Sequence, residues 1–126
     1  MTGRHNPDVF RRLAPFATMI LISLYALFSP ASGVPFLPPG FDKIAHFCLF
    51  AALAFTGRRA NICASHLGAS LVVYAVVSEI LQAVLPINRD GDVWDAAVDL
   101  CGVAIGLWLF SRARRRDHHR SGHADG

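Results

Sequence analysis

The segment "SHLGASLVVYAVVSEILQAVL", from Ser65 to Leu85, constrains this chain more than any other. An apolar stretch of roughly 20 residues matches a hydrocarbon core of about 30 Å, and in lipid a lone stretch satisfies its own N–H and C=O groups only as a helix. Similar stretches recur. "LAPFATMILISLYALF", Leu13 to Phe28, follows Arg11 and Arg12 and stops at Ser29 and Pro30; "KIAHFCLFAALAFTG", Lys43 to Gly57, follows a Pro-rich link. A last run, Asp92 to Phe110, leads into the basic tail "SRARRRDHHRSGHADG". The reading is an all-α membrane protein, a four-transmembrane-helix bundle with spans of about 13–29, 43–57, 65–85 and 92–110. This domain, residues 13–111, lies between a basic N-terminus, 1–12, and a basic disordered tail, 112–126. With 53% hydrophobic and only 17% charged residues, the composition is far from that of a soluble domain, where charged residues reach about a quarter.

Orientation follows from the arginines, because short cytoplasmic loops collect Lys and Arg. Arg4, Arg11 and Arg12 precede the first span, Arg58 and Arg59 lie between the second and third, and Arg112, Arg114, Arg115, Arg116 and Arg120 follow the fourth. Four crossings put all three groups on one side, and the opposite loops hold only Lys43 and Arg89 as cations. Both termini are therefore expected in the cytoplasm. Trp94 and Trp108 fall near the two ends of the last span, where indole rings favour the interfaces. Arg11, Arg12, the apolar run and "ASG" also have the layout of a signal peptide; cleavage there would leave three spans and the same outer face.

Within this topology the polar residues converge on the outer side. Lys43 and His46 open the second span, Glu79 and Gln82 close the third, and Arg89, Asp90, Asp92, Asp95 and Asp99 occupy the last outer loop and the first turns of the fourth. At 1.5 Å per residue, Asp99 lies about 10 Å into its span and Glu79 about 10 Å before Pro86. Carboxylates at that depth need partners or a water-filled cavity. Asp92, Asp95, Asp99, Gly102 and Gly106, spaced by three and four, draw one seam along a helix face. The outer half of the seam is acidic, and the glycines of the inner half allow close helix approach.

"DKIAHFCLFAALAF", "VVSEILQAVLP" and "RDGDVWDAAVDLCGVAIG" together resemble the signature segments of the VanZ-like family of small integral membrane proteins. The resemblance covers the second to fourth spans. It implies a four-helix, multi-pass protein of the bacterial cytoplasmic membrane, in a family named after a teicoplanin-resistance protein. The family pattern falls on Lys43, His46, Phe47, Glu79, Gln82, Arg89, Asp92, Asp95, Gly102 and Gly106. Asp99 departs from it, standing where the family usually has Asn.

Plainer readings exist for several of these groups. Asp92 and Asp95 suit a helix N-terminus for its dipole and unpaired N–H groups alone, which leaves Asp99 unexplained. Glu79 and Gln82 serve equally as glue between helices. The arginine groups read as topology determinants touching anionic lipid. "SGH" at Ser121 to His123 lacks the context of a lipid-phosphatase motif, and His118, His119 and His123 lie in a tail too short for a defined metal site. Cys48, Cys63 and Cys101 show no C-x-x-C spacing and read as small apolar residues. No phosphate loop, nucleophile elbow or dinucleotide fingerprint appears, and no catalytic residue, metal ligand or cofactor is assigned. The positive charge is concentrated at the cytoplasmic ends, so nucleic acid is not an expected partner.

Three functions stay open. In the first, favoured reading, an outward pocket binds the polar group of an envelope lipid or amphiphile, with Lys43 and Arg89 on a phosphate, His46 and Gln82 hydrogen-bonding it, and the carboxylates holding the cations. In the second, His46, Glu79, Asp95 and Asp99 serve a cation-dependent enzyme acting on such a lipid. The acidic excess favours a cation over a phosphate and weighs against the first. In the third the cluster is a structural latch.

Overall fold

In a computed structural model the described residues form four helices: α1 (Pro7–Phe28), α2 (Phe41–Arg59), α3 (Ala64–Val84) and α4 (Val93–Ser121). The structure describes residues 7–30, 38, 40–89 and 91–121, and no strand occurs among them. Arg4, Asp90 and His123 lie outside these residues.

Local chemistry explains the helix ends. Pro7 opens α1, where its missing N–H has no partner to lose. Past the C-terminus of α2, Asn61 takes a left-handed conformation at φ 64°, which Asn tolerates, while Asn61 N–H donates to Arg58 O at 3.1 Å and Ile62 N–H to Gly57 O at 3.2 Å. Pro86 ends α3 because its ring disfavours helical backbone in the preceding residue, and Leu85 is extended at ψ 144°. Asp92 caps α4, its Oδ1 accepting from Trp94 N–H at 3.0 Å.

The helices alternate in direction, so α2 and α4 run parallel, and these two share the most extensive interface. Their register is read from successive contacts: Lys43 meets Asp92 and Asp95, His46 meets Asp99, and Phe55 packs edge-on against Phe110 at 5.9 Å. Glycines set the spacing between them. A Cβ at Gly102 would stand 2.5 Å from Phe47 O, and one at Gly106 would collide with Ala51 O and stand 2.8 Å from Ala54 Cβ. The core is Phe50, Leu53 and Ala54 of α2 with Leu27 of α1, Leu67, Leu71 and Ala75 of α3, and Val103 of α4. Tyr74 joins it, its ring 5.6 Å from that of Phe50 and its hydroxyl 2.9 Å from Ser23 Oγ.

The outer faces are apolar to an extent water does not support. Leu21 and Tyr25 of α1, Val73 and Ile80 of α3, and Trp108 and Leu109 of α4 are all exposed. The chain is thus a helical protein with a membrane-compatible surface, and among the described residues three helices, α1, α3 and Val93–Arg120 of α4, are long and apolar enough to cross a membrane. The helix read from sequence as the second span does not meet that measure. Asp42, Lys43, His46, Arg58 and Arg59 lower its hydropathy, but α2 is the innermost helix and turns His46, Leu49, Phe50, Leu53, Ala54 and Gly57 inward. A second difference lies in α4, which continues to Ser121 where the sequence reading had a disordered tail from residue 112. Ala113 and the arginines around it are good helix formers and extend the preceding turns.

Candidate functional site

One end of the bundle gathers the start of α2, the end of α3 and the start of α4, with the end of α1 beside them. The i, i+3 spacing of Lys43 and His46 gives them one face of α2, and Asp92, Asp95 and Asp99 share the facing side of α4. Lys43 Nζ pairs with Asp92 Oδ2 at 3.2 Å and with Asp95 Oδ1. One turn deeper, His46 Nδ1 and Asp99 Oδ1 are 3.1 Å apart. From α3, Glu79 Oε2 accepts the backbone N–H of Asp92 at 2.9 Å and ties the α4 cap to the third helix. Gly91 permits this close approach, since a Cβ there would stand 2.5 Å from Glu79 O and 3.0 Å from Ala83 Cβ.

Depth separates the members. Asp92 is half exposed, and the Trp94 N–H, with Lys43 beside it, holds its carboxyl below the usual carboxylate range. His46, Glu79, Gln82 and Asp95 are buried, and Asp99 is fully so. Two buried oxygens, Glu79 Oε1 and Asp99 Oδ2, have no hydrogen-bond partner among the described residues. Unmatched oxygens at such a position are costly, whether the carboxyl is charged or protonated.

The remaining expected members divide. Gln82 Nε2 donates to Leu27 O at 2.8 Å, which commits that group to the α1–α3 contact. Arg89 is half buried on the connecting loop, and no hydrogen bond or ion pair joins it to the described members of the cluster. Asp42, not singled out from sequence, stands with Oδ2 3.8 Å from His46 Nε2. Its i, i+4 spacing to His46 on α2 was the available signal. Two sets of groups have the ligand types and proximity for a metal ion: His46, Glu79 and Asp99, all buried, and Asp42, His46 and Asp95. In each set, one ligand atom per residue lies within 4.8 Å of the others.

Beside the cluster a groove of about 360 Å³ opens between α3 and α4. Val76, Ile80, Val93 and Ala96 form apolar walls continuous with the outer faces of the two helices, and Glu79 and Asp92 line it as well. At the other end of the bundle, Arg58 lies over the Phe110 ring at 5.1 Å and Arg112 over that of Trp108 at 4.7 Å. Cys48, Cys63 and Cys101 are free and exposed.

Among protein families, the model described as VanZ/LLP1 matches residues 2–114 of this chain. No curated protein and no solved structure matches it.

Proposed function

The chain belongs to the VanZ/LLP1 family, and from that premise we propose a multi-pass protein of the bacterial cytoplasmic membrane that binds the polar group of an envelope lipid or amphiphile. Four crossings put both termini in the cytoplasm and the polar cluster at the outer face. Charge supports this: Arg11, Arg12, Arg58, Arg59 and the α4 arginines fall at one end, against Lys43 and Arg89 at the other.

The observation that carries the proposal is the α3–α4 groove, in which apolar walls run beside the half-exposed carboxylate of Asp92. A site of this kind suits a molecule with an apolar tail and a polar head. The head contacts differ from a phosphate site. Lys43 is taken up by Asp92 and Asp95, and the half-exposed carboxylate of Asp92 is the acceptor at the groove, so the preferred head carries N–H or O–H donors. Occupancy at the outer face is the route by which the protein would alter teicoplanin susceptibility.

The test is a membrane-expressed panel of His46→Ala, Glu79→Gln, Asp95→Asn and Asp99→Asn, scored for folded protein and for the teicoplanin sensitivity of the host. Wild type is expected to protect, and variants of normal abundance to protect less. Normal protection by the panel, or no effect of wild type, overturns the proposal.

A second reading, the latch, is favoured by the contacts of Lys43 and Gln82, which tie α2 to α4 and α3 to α1. Under it, the same panel vanishes from the membrane instead of losing activity.

A further inference from the structure

We infer that His46, Glu79 and Asp99 form a binding site for one divalent transition-metal ion inside the bundle. The three residues come from three helices, α2, α3 and α4, and all are buried. Their ligand atoms lie within 4.8 Å of one another. Nitrogen and oxygen ligands bind first-row ions at about 2.0–2.2 Å, so ligands at right angles stand about 3 Å apart and opposite ones about 4 Å. His46 Nδ1 and Asp99 Oδ1, at 3.1 Å, already have the closer spacing. The ligand atom of Glu79 lies within 4.8 Å of the other two, near the separation of opposite ligands.

Independent of the clustering, each carboxylate keeps one buried oxygen without a partner among the described residues, Glu79 Oε1 and Asp99 Oδ2. Glu79 is 8% exposed and Asp99 0%. A divalent ion bound by Glu79 Oε1 and by both oxygens of Asp99 supplies each orphaned atom with a ligand bond and neutralises two carboxylates held away from water.

The surroundings match those of a metal site. Metal-bound histidines usually give their second ring nitrogen to a carboxylate, and His46 Nε2 faces Asp42 Oδ2 at 3.8 Å. The Asp92 N–H holds the other oxygen of Glu79 at 2.9 Å. One imidazole and two carboxylates, without thiolate, suit Mn²⁺ or Zn²⁺, and water completes the coordination. Lys43 stays outside, engaged with Asp92 and Asp95.

This site goes beyond the amphiphile reading and does not rest on it, because metal content is measured with no amphiphile present. The experiment uses the full chain, purified in detergent through a tag without histidine, stripped with chelator and titrated with Mn²⁺ and with Zn²⁺. Elemental analysis is expected to find one ion per chain, and Glu79→Gln and Asp99→Asn are expected to weaken binding more than about tenfold, the least that loss of supporting groups costs at metal sites. Replacing His118, His119 and His123 with Ala is expected to change nothing. Folded wild-type protein that retains neither ion, or Glu79→Gln and Asp99→Asn proteins with wild-type affinity, overturns the inference. If those variants do not fold, the wild type decides: its unfolding temperature rises with added ion if the site exists, and an unmoved temperature overturns it.

Discussion

Asp99 and His46 meet across the α2–α4 interface, Oδ1 to Nδ1 at 3.1 Å, and the carboxylate is fully buried with its second oxygen unpartnered among the described residues. The contact spends one hydrogen bond on a group that would need several to offset its burial. Asp99→Asn keeps a side chain able to bond His46 and removes the charge, so metal-free protein is expected to melt at the same temperature or higher. Asp99→Leu strands His46 and is expected to cost about 1–3 kcal/mol. Thermal unfolding in detergent checks both, and equal losses would show that the charge itself supports packing.

The parallel α2–α4 contact depends on absent side chains. Gly106→Val pushes a branched side chain into the Ala51 carbonyl and Ala54, and a loss of about 1–3 kcal/mol is expected from the forced separation. Gly68→Ala on α3 meets only Leu107 Cδ1 at 3.8 Å and is expected to be neutral or to stabilise by up to about 1 kcal/mol. Folded yield and melting temperature of the two variants distinguish a close approach from a general intolerance of change.

Lys43 serves Asp92 and Asp95 unequally, since Asp95 is buried and Asp92 half exposed. Lys43→Met leaves buried Asp95 without its cation and is expected to lower the melting temperature more than Asp92→Asn, which keeps a capping side chain. Asp92 is held below its ordinary range in the folded state. Its contribution is therefore present above the unfolded value and lost as pH falls through the folded one. Melting temperature is expected to drop below about pH 4, with a shallower drop in Asp92→Asn.

Cys63 reports on both chemistry and side. Hydrogen bonds from Ser65 and then His66 draw its thiol down to about 6, in the short connection between α2 and α3. Its alkylation is expected to level off above about pH 7, while an ordinary thiol keeps accelerating through about pH 8.5. Ser65→Ala should move that plateau upward. With the proposed orientation, a membrane-impermeant maleimide labels Cys63 only after cells are opened; labelling of intact cells would reverse the topology.

Much of the architecture was legible in residue order. The apolar runs, Pro86 and the arginine groups are local or compositional signals, and they sufficed for the helices and for the gathering of Lys43, Glu79 and the aspartates toward one end. Spacing of three and four along Asp92, Asp95, Asp99, Gly102 and Gly106 placed them on one helix face, because helical periodicity is a property of the backbone alone. Pairing was not legible, since it depends on which faces meet. Only the tertiary structure decided that α2 and α4 lie side by side in parallel, so that Lys43 spans two aspartates and His46 faces Asp99. It also decided that Gln82 turns to Leu27 O of α1, that Glu79 takes the Asp92 N–H, and that Asp42 joins the cluster. Burial was decided the same way, since α2 turns His46, Leu49, Phe50, Leu53, Ala54 and Gly57 inward and the polarity of its residues does not reveal that.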